Sequence, residues 1–538
     1  MAEQFAGAGF RVRVSLRLIC VAAVLSMAAR VLPAVTCGVV KHGSQSEADK
    51  ALLAADFDRA ASLYKADLDK HAGDESFTVG LVHALLRQQK VAEAADIVKT
   101  ALASAPKSTA IVTLRGEVEL RRGEPWLAEP TVMEAYKLDP CYPRTRLLFS
   151  RIAAVSSRYA VARQQIQLAH QFDPEDPEIR AAWIGTLPLD QRIKEMEDYL
   201  SAPRGDDRMT AAAMRADLER WKKMAGQPEH ACRLVSAAAS SAEIPFIKMA
   251  GWAGHTRGFG LEAGVNAASI RLDLTGGEGG LTVYRGAAER AGLKRLTEND
   301  KPGFPGAKPS YIASADTIKV GSLQFKDCAV KVIDGSSPFD DSEGSIGIDV
   351  FSDFLLTVDY PMRKLQVAPL PVRPQDQQPA TPALRTDVTE LSGVANAQPS
   401  DRFIAPELKD YTQVYRVGRS VIVPTALNGD KVKLFVLDVG APETNIATDL
   451  AKQVSKTSEK EIFGRKALVA DEITMNFARF TQKLNGVVGT DTSLLKRFMG
   501  MEIGGSIGAN TYQKLIMHID YRDGLVKFDY IPDRGYKF

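Results

Sequence analysis

Two short segments in the C-terminal half of the sequence place an aspartate and a glycine at the end of an apolar run. The first reads IRLDLTGGEGG and contains Asp273, and the second reads LFVLDVGAPE and contains Asp438. A carboxylate in such a position is a candidate general acid or base. Neighbouring side chains point to opposite faces of a strand, so the exact position of each aspartate decides whether it can reach a shared site.

Each aspartate segment is followed by a second shared pattern, which makes the two regions a tandem duplication. In the first region, the Ile346 of a GSIG segment precedes Asp359 by 13 residues. In the second region, Ile507 of the same segment precedes Asp520 by 13 residues. Residues 371–405 lie between the two regions and are rich in proline but poor in apolar side chains, which predicts a semi-extended linker.

Together, these patterns resemble the lobes of retropepsin- and pepsin-type aspartic proteases. The features that carry the resemblance are the apolar strand with its Asp-Thr-Gly-Ala-like turn, the later hydrophobic-Gly pair and the Asp-Tyr hairpin. It covers residues 250–370 as a first lobe and residues 406–538 as a second. The resemblance implies two all-β lobes with the active site at their junction, each lobe supplying one aspartate. In that family the two carboxylates share one proton and act together on water and the peptide carbonyl.

The second lobe matches the family motif except at one position. Asp438 occupies the catalytic slot, and Gly440 and Ala441 follow it as substrate-binding residues. Val439 stands where the family has a threonine, whose hydroxyl bonds to the partner lobe. The resemblance therefore implies a polar network that is one hydrogen bond short.

The first lobe departs further from the motif, and two alignments remain open. Aligning the glycines sets Thr275, Gly276 and Gly277 against Thr-Gly-Ala, which places Leu274 in the catalytic slot. The alternative gives the slot to Asp273 and treats the next two residues as an insertion. Spacing and strand alternation favour the first alignment, with Gly276 and Gly277 as substrate-binding residues and Asp273 pointing away.

These departures leave two classes of function open. The first is a weak peptidase or a non-catalytic peptide-binding protein, which holds a polypeptide without efficient cleavage. The alternative is an active aspartic endopeptidase that uses Asp438 with Asp273, or with Asp438 of a second chain. We expect the first class, and we expect Leu274→Asp combined with Val439→Thr to restore cleavage if the cleft is intact.

An internal repeat of 34 residues dominates the N-terminal half. Three rows keep this interval: Pro106, Pro140 and Pro174; Ala94, Ala128 and Ala162; and Ala101, Ala135 and Ala169. The pattern resembles the tetratricopeptide repeat, in which two helices pack through small residues and proline ends the second helix. The resemblance covers residues 45–240 and implies a concave surface for a protein partner. A spacer without a ligand is the alternative interpretation.

Residues 1–36 have the layout of a secretory signal peptide. Basic residues precede an apolar run from Leu18 to Ala29, and small residues follow that run. The run is shorter than the ~20 residues that a membrane-spanning helix needs, although an uncleaved anchor is the alternative. We therefore expect an exported protein, periplasmic or secreted. Attachment to the envelope stays open, because Cys37 follows a weak lipoprotein-like sequence.

The composition of the chain limits the classes of partner that we expect it to bind. Of 538 residues, 45% are hydrophobic and 25% are charged, so each part of the chain can bury a core. The formal net charge is +2 and no long basic run occurs, which argues against a nucleic-acid partner. Cysteine and histidine show no metal-ligand spacing. We therefore expect no metal and no cofactor, few disulfides or none, and a polypeptide substrate or peptide ligand.

Overall fold

The computed structural model describes the chain from residue 37 to residue 531. Its internal gaps are residues 229, 236–240, 251–255, 277–279, 298–307, 336–340, 375–380, 386–399, 430 and 463–464. The predicted signal peptide of residues 1–36 and the predicted site residue Gly277 lie outside the described residues.

Helices make up the first part of the described chain. Their bounds are α1 Glu47–Leu53, α2 Phe57–Lys70, α3 Glu75–Arg87, α4 Val91–Ser104, α5 Thr109–Arg121, α6 Pro125–Leu138, α7 Pro143–Val155, α8 Tyr159–Phe172, α9 Pro177–Ile184, α10 Leu189–Tyr199 and α11 Arg208–Met224. Helices that follow one another in the chain pack together, and α5 also packs against both α3 and α7. These three helices therefore form one inner row of the repeat domain.

The alanine rows explain why the helices stack so closely. Ala60, Ala94 and Ala128 lie on α2, α4 and α6 and are fully buried. Gly116 of α5 has the same role, because a Cβ there would lie 2.7 Å from Cδ2 of Leu148 on α7. The predicted helical repeats are confirmed. The helices end at residue 224, however, and not near residue 240 as expected.

Strands make up most of the remaining chain. In the first stretch they are β1 Ala231–Leu234, β2 Ala242–Pro245, β3 Ile247–Ala250, β4 Thr256–Val265, β5 Ala268–Thr275, β6 Leu281–Tyr284, β7 Lys294–Arg295, β8 Ser310–Val320, β9 Leu323–Ile333, β10 Gly344–Gly347, β11 Phe354–Asp359 and β12 Lys364–Pro369, with a short helix α12 Arg285–Arg290. We call the nine-stranded sheet of β1 and β3–β10 lobe 1. A disulfide joins Cys232 of β1 to Cys328 of β9.

The second stretch repeats this plan. Its elements are β13 Thr412–Gln413, β14 Tyr415–Val417, β15 Ser420–Leu427, β16 Lys431–Leu437, β17 Asn445–Ala447, α13 Thr448–Val454, β18 Thr457–Ile462, β19 Arg465–Phe477, β20 Phe480–Thr490, α14 Ser493–Met499, β21 Gly505–Ile507, α15 Ala509–Tyr512, β22 Leu515–Asp520 and β23 Leu525–Tyr530. We call the eight-stranded sheet of β14–β21 lobe 2.

A third sheet joins the two lobes, and its order is β13-β23-β22-β11-β12-β2. Its centre is the antiparallel pair of β11 and β22, in which Leu355 lies opposite Asp520 and Asp359 lies opposite Ile516. Thr357 and His518 occupy the middle of this pairing. Because each half contributes a hairpin and one outer strand, the duplicated sequence gives a sheet with approximate twofold symmetry.

The predicted linker is not simply extended. Arg373 is buried and forms a 2.5 Å ion pair with Asp523. Leu384 is fully buried, and its backbone N–H donates to the carbonyl of Cys232 in β1. The described parts of residues 371–405 therefore pack against the β region. They do so because this proline-rich segment also contains a buried apolar side chain and an arginine that forms a buried ion pair.

The helical repeats pack directly on lobe 2. Leu120 and Ile152 of the repeats share an apolar cluster with Leu434 and Met501 of lobe 2. The backbone N–H of Glu502 also donates to the carbonyl of Arg121 at 2.8 Å. One side of the repeat domain is thus covered by the chain itself.

Candidate functional site

Each lobe presents one of the two predicted site loops at the end of a parallel strand pair. In lobe 2, β16 runs parallel to β21, and Leu437 lies opposite Ile507. In lobe 1, β5 runs parallel to β10, and Leu274 lies opposite Ile346. The loops that follow Leu437 and Leu274 therefore leave equivalent positions of the two sheets.

Asp438 is the first residue of the lobe 2 loop. Its backbone N–H donates to the carbonyl of Ile507 at 3.0 Å, which continues the pairing of the strands. Its Oδ1 accepts the backbone N–H groups of Gly440 and Ala441, each at 3.1 Å. These bonds hold the carboxylate against its own loop, and the side chain remains partly accessible. Three predicted site residues, Asp438, Gly440 and Ala441, thus form one local unit.

The loop of lobe 1 lies directly against this unit. A Cβ on Gly276 would overlap Oδ1 of Asp438 and lie 2.8 Å from its Cα. In return, a Cβ on Gly440 would overlap the carbonyl oxygen of Leu274 and lie 2.6 Å from the Cα of Thr275. Both positions require glycine for this approach. The structure therefore brings Gly276 and Gly440 together across one junction within a single chain.

Strand register identifies which residue of lobe 1 corresponds to Asp438. Leu274 and Leu437 both lie opposite the isoleucine of a GSIG segment, so the next residues, Thr275 and Asp438, are equivalent. Leu274 is buried in the apolar core, as is Leu437. The sequence analysis placed Leu274 beside Asp438, whereas in the structure its side chain lies in the apolar core and its carbonyl reaches the junction.

Thr275 was not singled out by the sequence pattern. Its Oγ1 is buried and, within the part of the chain that the structure describes, has no hydrogen-bond partner. The register makes Gly276 equivalent to Val439, and Val439 is itself buried. The register aligns Thr275 with Asp438, whereas the glycines align Leu274 with Asp438. Residue types alone do not reveal the register, so the sequence could not distinguish the two alignments.

Asp273 lies two residues before Thr275 and has a different partner. Ser342 Oγ donates to Oδ2 of Asp273 at 2.5 Å, and Ser345 of β10 lies opposite Asp273 in the sheet. The structure thus places Asp273 against the loop before β10, while the carboxylate of Asp438 lies against Gly276.

Two buried tyrosines lie beneath the junction and were also missed. The hydroxyl of Tyr360 donates to the carbonyl of Val439 at 2.7 Å. Its ring stacks on Tyr512 with centroids 5.6 Å apart, and the Tyr512 hydroxyl donates to the carbonyl of Ile507. Burial, followed by the Asp438 carboxylate, raises the pKa of Tyr360 well above its ordinary value. Both hydroxyls therefore stay protonated and act as fixed donors that hold the loop.

The junction combines one carboxylate with one hydroxyl. Asp438 is partly exposed and can accept hydrogen bonds, whereas the Thr275 hydroxyl is buried and has no hydrogen-bond partner within the described chain. The N–H groups of an extended peptide are donors that the Asp438 carboxylate can accept. No cluster of potential metal ligands occurs among the described residues. Within the same residues, no helix is long and apolar enough to cross a membrane.

Comparisons with known proteins bear on the helical part. A family model described as tetratricopeptide repeat matches residues 51–118. A solved thermophilic tetratricopeptide-repeat protein of Thermus thermophilus is 19% identical, covering 31% of this chain and 90% of that chain with a TM-score of 0.25. No curated protein matches the sequence. The chain thus has tetratricopeptide-like repeats over residues 47–224, a type of domain that typically binds protein partners, followed by a β-rich region.

Proposed function

We propose that the two lobes are of the aspartic-protease type and that their junction binds an extended polypeptide without efficient hydrolysis. The lobes are supported by the duplicated strand order, the shared sheet and the meeting of the two loops at Gly276 and Gly440. The single observation that carries the lack of hydrolysis is Thr275, which stands at the position equivalent to Asp438.

The chemistry follows from that substitution. Two neighbouring carboxylates cannot both ionise, so they share a proton, and one acts as base while the other acts as acid. An alcohol does not lose its proton in the range where a carboxylate titrates. Asp438 therefore has no partner at Thr275 with which to share a proton. The junction can still bind a peptide, because Asp438 is partly exposed and can accept an N–H from the peptide.

The rest of the chain supports a role in polypeptide binding outside the cytosol. The tetratricopeptide-like repeats are a protein-interaction module, and we assign them a protein partner. We also propose that residues 1–36 are a signal peptide and that the protein is periplasmic or secreted. A disulfide between Cys232 and Cys328 fits that proposal, since such bonds persist in oxidising compartments.

Binding of an unfolded polypeptide tests the proposed function. Fluorescently labelled, carboxymethylated casein should bind the full chain in an anisotropy titration and remain intact in mass spectra. Asp438→Ala should weaken binding at least ~10-fold, because a hydrogen bond to a charged group is lost. Asp410→Ala removes an exposed carboxylate before β13 and serves as the matched control.

Three results would contradict the proposal. Rapid fragmentation of casein by the wild-type protein would favour an active endopeptidase, and loss of that activity in Asp273→Asn would identify the second carboxylate. Equal binding by Asp438→Ala and by wild type would place the polypeptide elsewhere. Absence of binding by the wild-type protein would remove the basis of the proposal.

A further inference from the structure

A cavity of about 440 Å³ lies between the inner row of repeat helices and lobe 2. Its walls come from α3, α5 and α7 on one side, and from residues 416–418 and 499–501 on the other. None of the junction residues Asp438, Thr275 and Gly276 lines it. Its volume falls within the ~300–1,000 Å³ that is typical of small-molecule sites.

The carboxylates in this cavity already have cationic partners. Glu178 pairs with Arg151 at 2.7 Å and with Arg87 at 3.3 Å. Glu117 lies 3.2 Å from the imidazole of His83. These contacts give both acidic side chains a basic neighbour within the repeat domain, while Oε1 of Glu117 is buried without a hydrogen-bond partner among the described residues.

Arg121 lines the same cavity without a direct ion pair to any described carboxylate. Its Nη1 donates to the carbonyl of Gly500 at 3.2 Å, and the described residues give it no carboxylate within ion-pair distance. Burial, followed by the charge of Arg151, lowers the pKa of Arg121. A buried cation without a direct ion pair is costly, and an anion beside it would add to the more distant attraction of Glu178 and Glu117.

A second arginine reaches the cavity from lobe 2. Arg416 donates to the carbonyls of Tyr521 and Gly418, but its buried Nε has no hydrogen-bond partner within the described chain. Arginine side chains from both parts of the molecule thus line one cavity. Planar guanidinium groups suit a carboxylate particularly well.

The remaining wall of the cavity is apolar. It is formed by side chains from both parts of the molecule, namely Leu86, Leu120, Leu148, Val155, Met499 and Met501. Methionine side chains adapt to irregular apolar ligands. A bare inorganic anion would leave this wall without contacts, whereas a ligand with an apolar chain would cover it.

We propose that this cavity binds a small monocarboxylate with an apolar chain. The carboxylate lies against Arg121 and Arg416, and the chain packs along Met499, Met501 and the leucines of the repeats. Because both parts of the molecule contribute, the ligand adds contacts between the repeats and lobe 2. The proposal is independent of any activity at the junction.

Sodium octanoate is the test ligand. Octanamide is the probe that lacks the negative charge, and inorganic phosphate is the probe that lacks the apolar chain. In methyl NMR of the methionine-labelled full chain, octanoate should shift the Met499 and Met501 signals and leave the exposed Met362 unchanged. Octanamide and phosphate should each bind at least ~10-fold more weakly than octanoate, because octanamide loses the charged contact with the arginines and phosphate loses the burial of an apolar chain. Unshifted Met499 and Met501 signals, or equal binding of either probe, would overturn the proposal.

A variant pair locates the carboxylate. Arg121→Met should weaken octanoate binding at least ~10-fold, since a charge-assisted hydrogen bond is lost. Arg122→Met is the control, because Arg122 is the neighbouring residue and its side chain is 47% exposed and paired with Glu124. Unchanged affinity in Arg121→Met, or equal loss in both variants, would overturn the assignment. If Arg121→Met does not fold, the octanamide comparison on the wild-type protein decides the same point.

Discussion

Thr275 and Asp438 end equivalent strands but offer different chemistry. Oδ1 of Asp438 accepts two backbone N–H groups, whereas Oγ1 of Thr275 has no partner within the described chain. A carboxylate exchanges its proton in the acidic range, but an alcohol keeps its proton throughout. The two positions are therefore equivalent in the strands but different in chemistry, and this difference is the basis of the proposed peptide binding without efficient hydrolysis.

A second feature at the residue scale is Asp520, a buried carboxylate whose ionisation lowers the stability of the folded protein. Asp520 is fully buried and accepts the N–H of Asp523 at 3.0 Å. Burial, followed by the Asp523 carboxylate, raises the pKa of Asp520 from 3.8 to about 6. Between these values the folded protein holds a proton that the unfolded chain has lost. Stability therefore falls as pH rises through this window and stays reduced above it.

Asp520→Asn should remove this cost, because an amide does not ionise. We expect the free energy of unfolding to rise at pH 7 by on the order of 1–3 kcal/mol, with little change at pH 4. Urea unfolding at the two pH values measures the difference. Asp359→Asn is the matched control, since Asp359 accepts the N–H of the residue three positions later in the same way, but that residue is Met362 and not an aspartate. Equal gains in both variants, or a gain for Asp520→Asn at pH 4 only, would contradict this account.

At the scale of elements, the helical repeats could be predicted from the sequence and the exact site residue could not. Alanine recurs every 34 residues because those positions have no room for a larger side chain, as at Ala94 and Ala128. The duplication likewise predicted matching strands in both lobes. Residue types alone do not decide between Leu274 and Thr275 as the counterpart of Asp438, because each has a glycine two residues later. Strand register, which decides between them, depends on tertiary pairing.

The turn between α5 and α6 shows how one element contacts another. Gly123 has φ +70, and a Cβ there would overlap the carbonyl oxygen of Glu502 in lobe 2. Gly123→Ala should therefore push the turn away from lobe 2 and expose residues 500–503. Hydrogen exchange of these amides should become at least ~10-fold faster, since a contact worth more than about 1 kcal/mol is lost.

The control for that variant separates contact from backbone strain. Gly73 also has positive φ, at +92, but a Cβ there would meet nothing within 4 Å. Gly73→Ala should share the backbone strain and leave the exchange of residues 500–503 unchanged. Equal acceleration in both variants would show that strain, and not the contact with lobe 2, controls this interface.

At the scale of the whole molecule, the central sheet and the repeats fix the junction from two sides. The pairing of β11 with β22 joins the lobes beneath Asp438, through Tyr360 and Tyr512. The repeats cover the outer face of lobe 2, where Leu434 and Val436 of β16 lead to the Asp438 loop. Met499 and Met501, which line the cavity, share this apolar cluster with Leu434 and Val436. A ligand in the cavity would stabilise the arrangement that holds Asp438.

The most direct test of the account is cleavage by Thr275→Asp. This variant places a second carboxylate at the position equivalent to Asp438, so labelled casein at acidic pH should be cleaved ~10²–10⁴-fold faster than by wild type. Adding Asp438→Asn to the variant should abolish the gain. Leu274→Asp should give no gain, because it would place a charge in the apolar core. The account would be contradicted if the wild-type protein already cleaved casein rapidly, if Thr275→Asp left that rate unchanged and if Asp273→Asn abolished it.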